Sequence, residues 1–341
     1  MGFGEYALAI DKNKCPLSAL GLGQKIKELL KDIEEEIIHL NQIEYSASLI
    51  ASLAFGGKEP YQSAHFGIKK AERKKINFIL ATDLILEMQA QAQVNMGIIV
   101  AVKKALNTSG IISYFQPIID NKTKKIAKFE SLVRLVDENR NLWFPADFLD
   151  ISKKGRYYTQ ITQKVLDNSF QALYQTSADI TINISAIDIE EQVTRSKLIN
   201  LLDTHKEHAH RITFELLEDA SIKEFDVIKT FIQEVKSRGV SIAIDDFGSG
   251  YSNFERLLDY DPDIIKIDGS LIKNIATDDY SISIVKTIVS FANEHNIKTI
   301  AEFVENETIF NILYALGVHY SQGYYFGKPQ LLEEYKGISG F

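Results

Sequence analysis

Cysteine occurs once in the 341 residues, at Cys15, so no intrachain disulfide can form and the usage fits a reducing compartment. Proline is scarce too, with 6 residues, which leaves long stretches free to be helical. No purely apolar run approaches the ~18 residues needed to span a bilayer, and the start has no signal-peptide pattern. A positive surplus is also missing. The 38 Lys and Arg face 46 Asp and Glu, and the net charge of −8 argues against a broad footprint on a nucleic acid polymer. It leaves room for a small phosphorylated ligand held by local cations. What is present is ordinary for a globular chain: 45% hydrophobic and 25% charged residues, at a length that suggests about two domains. The expectation is a cytoplasmic protein with no membrane segment in this chain.

Along the chain, residues 1–10 read as a turn and a strand, 22–40 as an amphipathic helix, and "SASLIASLAFGG" (46–57) as a strand closed by glycines. A lysine-rich helix follows, then a strand within 76–84. Good helix formers over 85–107 predict a connecting helix that ends near Asn107 to Gly110. Beyond it, strand signals at 112–119, 126–136, 179–185, 211–217, 241–247, 263–268, 297–303 and 320–323 alternate with helical stretches. Such alternation predicts an α/β fold, a parallel sheet or a (β/α) barrel. Only the polar link "DNKTKK" joins the first two strands, which predicts an antiparallel hairpin there.

Strand parity sharpens the barrel reading. Successive side chains on a strand point to opposite faces. Each strand from 126 onward has one apolar face for packing and one face with a few polar groups. Glu130, Asn183, Glu215, Asp245, Lys266, Glu302 and Gln322 fall on polar faces of seven different strands. A single carboxylate at a strand end is most often a helix cap or a solvated loop residue. Four carboxylates, two amides and a lysine converging at one end of a barrel is not how cores are filled, and that end is where barrel sites are built. The stretch "SIAIDDFGSGYS" (241–252) adds a puzzle, because adjacent Asp245 and Asp246 share a site only if the strand has begun to turn. Burying two such charges calls for a compensating cation, with a metal the simplest candidate.

The ordered segments "YFQPIID", "FESLVRL", "NIS", "FELLED", "DDFGSGYS", "KIDGSLI", "AEFVE" and "QGYYFGKP" resemble the motifs of the EAL-domain family. The resemblance implies a modified TIM (β/α)8 barrel with an antiparallel first strand, over 111–341. It also implies a cyclic di-GMP phosphodiesterase of bacterial second-messenger signalling that forms linear pGpG with two Mg²⁺ or Mn²⁺ ions. By the same resemblance Glu130, Asn183, Glu215, Asp245 and Asp246 are metal ligands, with Glu302 near the second ion. Lys266 is the lysine that holds the attacking water, with Gln322 beside it, and Glu218 anchors the "DFGSGYS" loop. Arg134, Gln116, Pro145 and Pro329 are placed at the ligand. The family also implies a homodimer through this domain. A catalytically weak or inactive receptor or scaffold for cyclic di-GMP is the alternative.

Two positions depart from the family pattern. Ser131 stands where the signature has Ala, and Phe303 where the family usually has Gly. Both face away from the site by parity, though a phenylalanine can still block a close backbone approach or tilt Glu302. "GFGEYALAI", with Phe3 and Gly4 in place of the second Gly and the acidic third residue, and the later "ASLIASLAFGG" and "AHFGIKKAERKKIN" resemble the hairpin, last strand and last helix of a GGDEF domain. Residues 1–84 thus resemble a truncated, degenerate GGDEF domain, a small α/β remnant starting at that domain's hairpin, so no cyclase activity is expected. Residues 85–110 are its connecting helix. "HKEHAH" (205–210) has no cysteine partners and reads as a solvated loop rather than a zinc site.

Overall fold

A computed structural model describes residues 5–11, 14–40, 43–56, 59–82, 84–217, 225–248 and 254–335. The chain divides into two compact units, Met1–Gly97 and Ile98–Phe341.

In the first unit, α1 (Ala19–Glu35) starts where the Ser18 hydroxyl accepts the Gly21 amide at 3.1 Å. The helix stops at Glu35, short of the 40 expected from its apolar spacing. Ile37 begins β1 (Ile37–Leu40), which pairs antiparallel with β2 (Ile43–Ser46). Two adjacent β-branched residues and a pairing partner override helical periodicity there. The expected strand over 1–10 is absent from its described part, residues 5–10, which carry no regular structure. The expected strand over 46–57 shrinks to β3 (Ala51–Leu53), which pairs in parallel with β4 (Phe78–Leu80) across α2 (Pro60–Lys74). Both α1 and α2 pack on this pair of strands. Gly67 allows α2 to lie that close, since a Cβ there would meet Ser52 Oγ at 1.9 Å and Ala81 Cβ at 2.8 Å. Then α3 (Leu84–Asn107) runs as the expected uninterrupted helix.

The second unit is a closed barrel. Its strands are β5 (Ile111–Asp120), β6 (Lys125–Val136), β8 (Asp179–Asn183), β9 (Ile212–Leu217), β10 (Ser241–Phe247), β11 (Ile264–Ile267), β12 (Lys298–Ala301) and β13 (Tyr320–Gln322). A short β7 (Leu142–Trp143) folds back onto β6. Each strand from β6 to β13 (β7 aside) runs parallel to its neighbours, while β5 is antiparallel to both β6 and β13 and closes the ring. All eight barrel strands coincide with the strand signals in the sequence. Among the described residues, the end of α3 and nine further helices accompany the strands: α4 (Pro145–Lys153), α5 (Tyr157–Ala172), α6 (Ala186–Glu190), α7 (Gln192–Thr204), α8 (Phe225–Lys236), α9 (Phe254–Asp259), α10 (Gly269–Lys273), α11 (Asp279–Glu294) and α12 (Glu307–Ala315).

The alternation of strand faces produces two cores. Outward residues such as Ile180, Ile182, Phe214, Ile242, Ile265 and Ile267 pack against the helices in one large cluster. Inward residues Ile118, Ala243, Ile264 and Ile300 form a separate small cluster that Tyr320 packs against. That plug fills the barrel interior. One inward position further toward the mouth, β5, β10, β11, β12 and β13 change from apolar to polar, while on β6, β8 and β9 the same layer is already polar, with buried Lys128, Thr181 and Thr213.

Candidate active site

The eight strands bring one polar residue each to the interior above the plug: Gln116, Glu130, Asn183, Glu215, Asp245, Lys266, Glu302 and Gln322. Each follows the plug layer by two residues, as in Ile264 to Lys266 and Ile300 to Glu302. In the reversed β5 the step runs backward, from Ile118 to Gln116. The period of two alone puts these side chains together.

Lys266 sits at the centre, 1% exposed. Its Nζ lies 2.8 Å from Glu215, 2.8 Å from Glu302, 3.0 Å from Asp245 and 3.8 Å from Glu130. Burial alone would strip its proton, but the four carboxylates outweigh that and hold it firmly cationic, well above the usual lysine range. Glu130 is fixed from both sides. Asn183 Nδ2 donates to its Oε1 at 2.7 Å and Gln322 Nε2 to its Oε2 at 2.6 Å. Burial raises its pKa, but the Lys266 charge and these donors prevail and keep it below the ordinary value. Gln322 Nε2 also reaches Gln116 Oε1 at 3.2 Å, and Gln116 donates to the Gly327 carbonyl at 3.2 Å.

The adjacent aspartates meet through the backbone. Between Ile244 and Phe247 the β10–β11 register slips, and Asp246 takes a left-handed φ of 56°. This bulge rotates the second carboxylate toward the first instead of to the opposite face. Glycines stand at 248 and 250, just beyond the pair. Gly248 does have a φ of 97°, but Asp246 itself makes the turn, and Gly250 lies outside the described residues. Oxygens of Asp245, Asp246 and Glu302 lie within 4.8 Å of one another.

Five carboxylates therefore surround one ammonium, a formal excess of four negative charges. Their titration reflects the excess. Glu215 is pushed well above the carboxylate range by burial, with Glu130 and Asp245 adding to it against the pull of Lys266. Glu302 is raised to about 7 by burial, against Lys266 and with Asp245 and Glu130. Asp246 is raised by burial, Asp245 and Asp268. Glu215 Oε1 and Gln322 Oε1 are buried without a hydrogen-bond partner. Hard oxygen donors, excess negative charge and an orphaned carboxylate oxygen fit a divalent cation such as Mg²⁺ or Mn²⁺.

The other predicted positions spread outward. Arg134, two periods of the pleat above Glu130, is 5% exposed. Pro145 is the first residue of α4. Pro329 belongs to a segment tied to β5, where Gln330 and Phe115 exchange backbone bonds at 2.7 and 3.1 Å. Glu218 lies outside the described residues. Phe303 adopts a φ of 52°, the left-handed region where glycine is at ease, and its ring turns away from Glu302 to lie on Gly269. Lys273 Nζ sits 4.2 Å from the ring centroid. Glu302 keeps its 2.8 Å contact with Lys266, so the substitution leaves that carboxylate in the cluster. In the 205–210 stretch, His205 bonds Tyr174 and His208 packs on the same ring, an aromatic cluster with no grouping of metal donors among the described residues. Sequence reasoning missed the rings of Tyr114 and Phe144 around Arg134, since neither stands in a polar pattern.

The sequence profile of the EAL domain matches residues 99–329. Curated relatives include the cyclic di-GMP phosphodiesterase PdeB of Shewanella oneidensis, 27% identical over 98% of this chain and 40% of that protein. The cyclic di-GMP phosphodiesterase PdeA of Borreliella burgdorferi is 31% identical over 67% of this chain and 35% of its own length. The bifunctional diguanylate cyclase/cyclic di-GMP phosphodiesterase MucR of Pseudomonas aeruginosa is 26% identical over 98% of this chain and half of that protein. The chain thus spans half or less of each. Among solved structures, the PaMucR phosphodiesterase in complex with c-di-GMP superposes with a TM-score of 0.65 at 27% identity, over 70% of this chain and 99% of that one. An EAL domain protein of Listeria monocytogenes EGD-e gives 0.64 at 28% identity, over 70% and 95%.

Proposed function

This chain belongs to the EAL-domain family, and from that premise we propose that its barrel hydrolyses cyclic di-GMP to linear pGpG with two divalent cations, Mg²⁺ or Mn²⁺. The observation that carries the proposal is the surplus of carboxylates around Lys266, with Glu215 Oε1 left unpartnered. A receptor would need no such concentration of like charge. Glu130, Asn183, Glu215, Asp245 and Asp246 would hold the ions, with Glu302 adjoining. Bound there, the ions would acidify a water and neutralise charge on the phosphate oxygens.

The chain's own residues supply the rest. Lys266, kept cationic by its four carboxylates, holds the attacking water by an N–H donor and offsets charge that develops during attack. Gln322 and Asn183 orient Glu130 by their two hydrogen bonds. One phosphodiester P–O bond breaks, the water oxygen takes its place on phosphorus, and the ribose oxygen leaves with a proton. Arg134, Gln116, Pro145 and Pro329 bind and orient the dinucleotide, and Glu218 anchors the loop that follows Asp246. Residues 1–84 are read as a degenerate GGDEF region, a reading supported by the likeness to MucR over 98% of this chain. No cyclase activity is expected of it, because Phe3 and Gly4 replace the second Gly and the acidic residue of that motif. Dimerisation through the barrel and a cytoplasmic location complete the proposal. Among the described residues no helix is long and apolar enough to cross a membrane.

Product analysis tests this. The protein is incubated with cyclic di-GMP and Mg²⁺ or Mn²⁺, beside a Glu130→Ala control, and the nucleotides are separated by chromatography. Linear pGpG formed only with metal and intact Glu130 supports the hydrolase. Dinucleotide bound but returned uncleaved under both metals would make the protein a receptor.

A further inference from the structure

The carboxylate cluster does not account for the surroundings of Arg134. Its guanidinium is buried, Nη1 donates to the Val133 carbonyl at 2.8 Å, and Nε has no partner. Among the described residues it forms no ion pair. Aromatic rings flank it instead: Cζ lies 5.5 Å from the centroid of Tyr114 and 5.1 Å from that of Phe144. Tyr114 is half-buried, but Phe144 is 52% exposed.

The backbone at Phe144 is tied on both flanks. The β7 strand pairs Trp143 with Leu135 on one side, and Trp143 Nε1 donates to Asp137 at 3.2 Å. On the other side the Phe144 amide donates to Asp147 Oδ2 at 2.7 Å, while its carbonyl accepts the Asp147 amide at 2.9 Å. A large apolar ring, exposed yet fixed by backbone bonds on both flanks, loses little conformational freedom when something flat covers it.

On the hydrolase reading of the preceding subsection, we propose that Phe144 is a base-stacking platform for the cyclic dinucleotide. One purine lies on its exposed side, with the Arg134 guanidinium close by. Every base has a π-face, so this contact supplies affinity and selects bases over baseless phosphodiesters without choosing between purines. A cation beside the ring reinforces the arrangement.

The test compares Phe144→Ala, Phe144→Leu and Phe144→Trp by steady-state kinetics on cyclic di-GMP, with Kd from calorimetry. Phe144→Ala should raise KM and Kd about 5- to 100-fold, the range of losing one base–aromatic stack, while kcat changes less than about 3-fold. Phe144→Leu, apolar but without a π-face, should fall near the alanine variant, and Phe144→Trp near the original. Rescue by Leu would assign Phe144 to packing and overturn the proposal. Unchanged KM and Kd in Phe144→Ala, or a loss confined to kcat, would overturn it equally. If the original protein binds the dinucleotide without cleaving it, the hydrolase reading fails, and the Kd series still decides the platform.

Discussion

The two units of this chain meet the same problem, a sheet that must hide its edges, in different ways. The barrel pairs β5 with both β6 and β13, so every ladder closes on itself. Among its described residues the first unit has only pairs of strands, β1–β2 and β3–β4, each with open edges. Its described residues leave Tyr6, Leu8, Leu20, Leu29, Leu49 and Tyr61 more than half exposed, whereas the barrel buries a continuous apolar cluster. Closure lets the barrel hold a costly charge cluster in its mouth, because the surrounding ring is fixed from all sides. A two-strand pair with helices packed on it has no such reserve.

The contrast can be broken hardest at Lys266. Lys266→Met leaves four carboxylates without their cation. Linear pGpG formation should fall at least about 1,000-fold, and metal-free stability by about 3–5 kcal/mol in urea titrations. Unchanged stability would mean that the cluster is not held as a unit. In the first unit, Gly67→Ala places a methyl 1.9 Å from Ser52 Oγ and should cost that unit about 1–3 kcal/mol. Hydrogen exchange should show protection lost within Met1–Gly97 and kept in the barrel strands. Loss in both would show that the two units unfold together.

Smaller effects follow from titration. Glu302, raised to about 7, and Glu215 and Asp246, also raised, bind protons more tightly folded than unfolded. They therefore stabilise the metal-free fold at low pH, and this contribution fades as pH climbs from about 4.5 through 7. Glu130, with its lowered value, works the other way but is one group against three. The metal-free melting temperature should thus decline over that window, and saturating Mg²⁺ should flatten or reverse the slope. A flat metal-free profile would refute the assignment. Smallest is Phe303→Gly, which relieves about 1–2 kcal/mol of left-handed strain but removes a cation–π contact worth ~0.5–1 kcal/mol. Its stability should stay within about 1 kcal/mol of the original. The same change should rescue Gly269→Ala, whose methyl otherwise meets Phe303 Cδ2 at 2.1 Å. A double-mutant cycle without coupling would contradict that packing.

The barrel was legible because it is periodic. Alternation by two residues placed Glu130, Glu215, Asp245, Lys266 and Gln322 on inward faces, and the short "DNKTKK" link announced the reversed strand. The sequence called for a turn at Asp246 without showing its form, and two other features were illegible, for a common reason: all three depend on breaks in the period. The bulge at Asp246, the left-handed turn at Phe303 and the end of α1 at Glu35 are set by partners distant in sequence. Phe144 escaped notice because an aromatic beside "LW" reads as core, and only the folded chain leaves it in solvent.

The ring is sealed by strands at opposite ends of the unit, β5 at Ile111–Asp120 and β13 at Tyr320–Gln322. During synthesis the β5–β6 hairpin can form as soon as it emerges, since its contacts are local. The seam with β13 waits for some two hundred further residues. Until then the growing chain presents an unsealed curved sheet, with Gln322 not yet delivered to Glu130. Chaperone dependence and aggregation of the nascent chain should therefore track the interval before Gln322 is translated, however stable the finished barrel is.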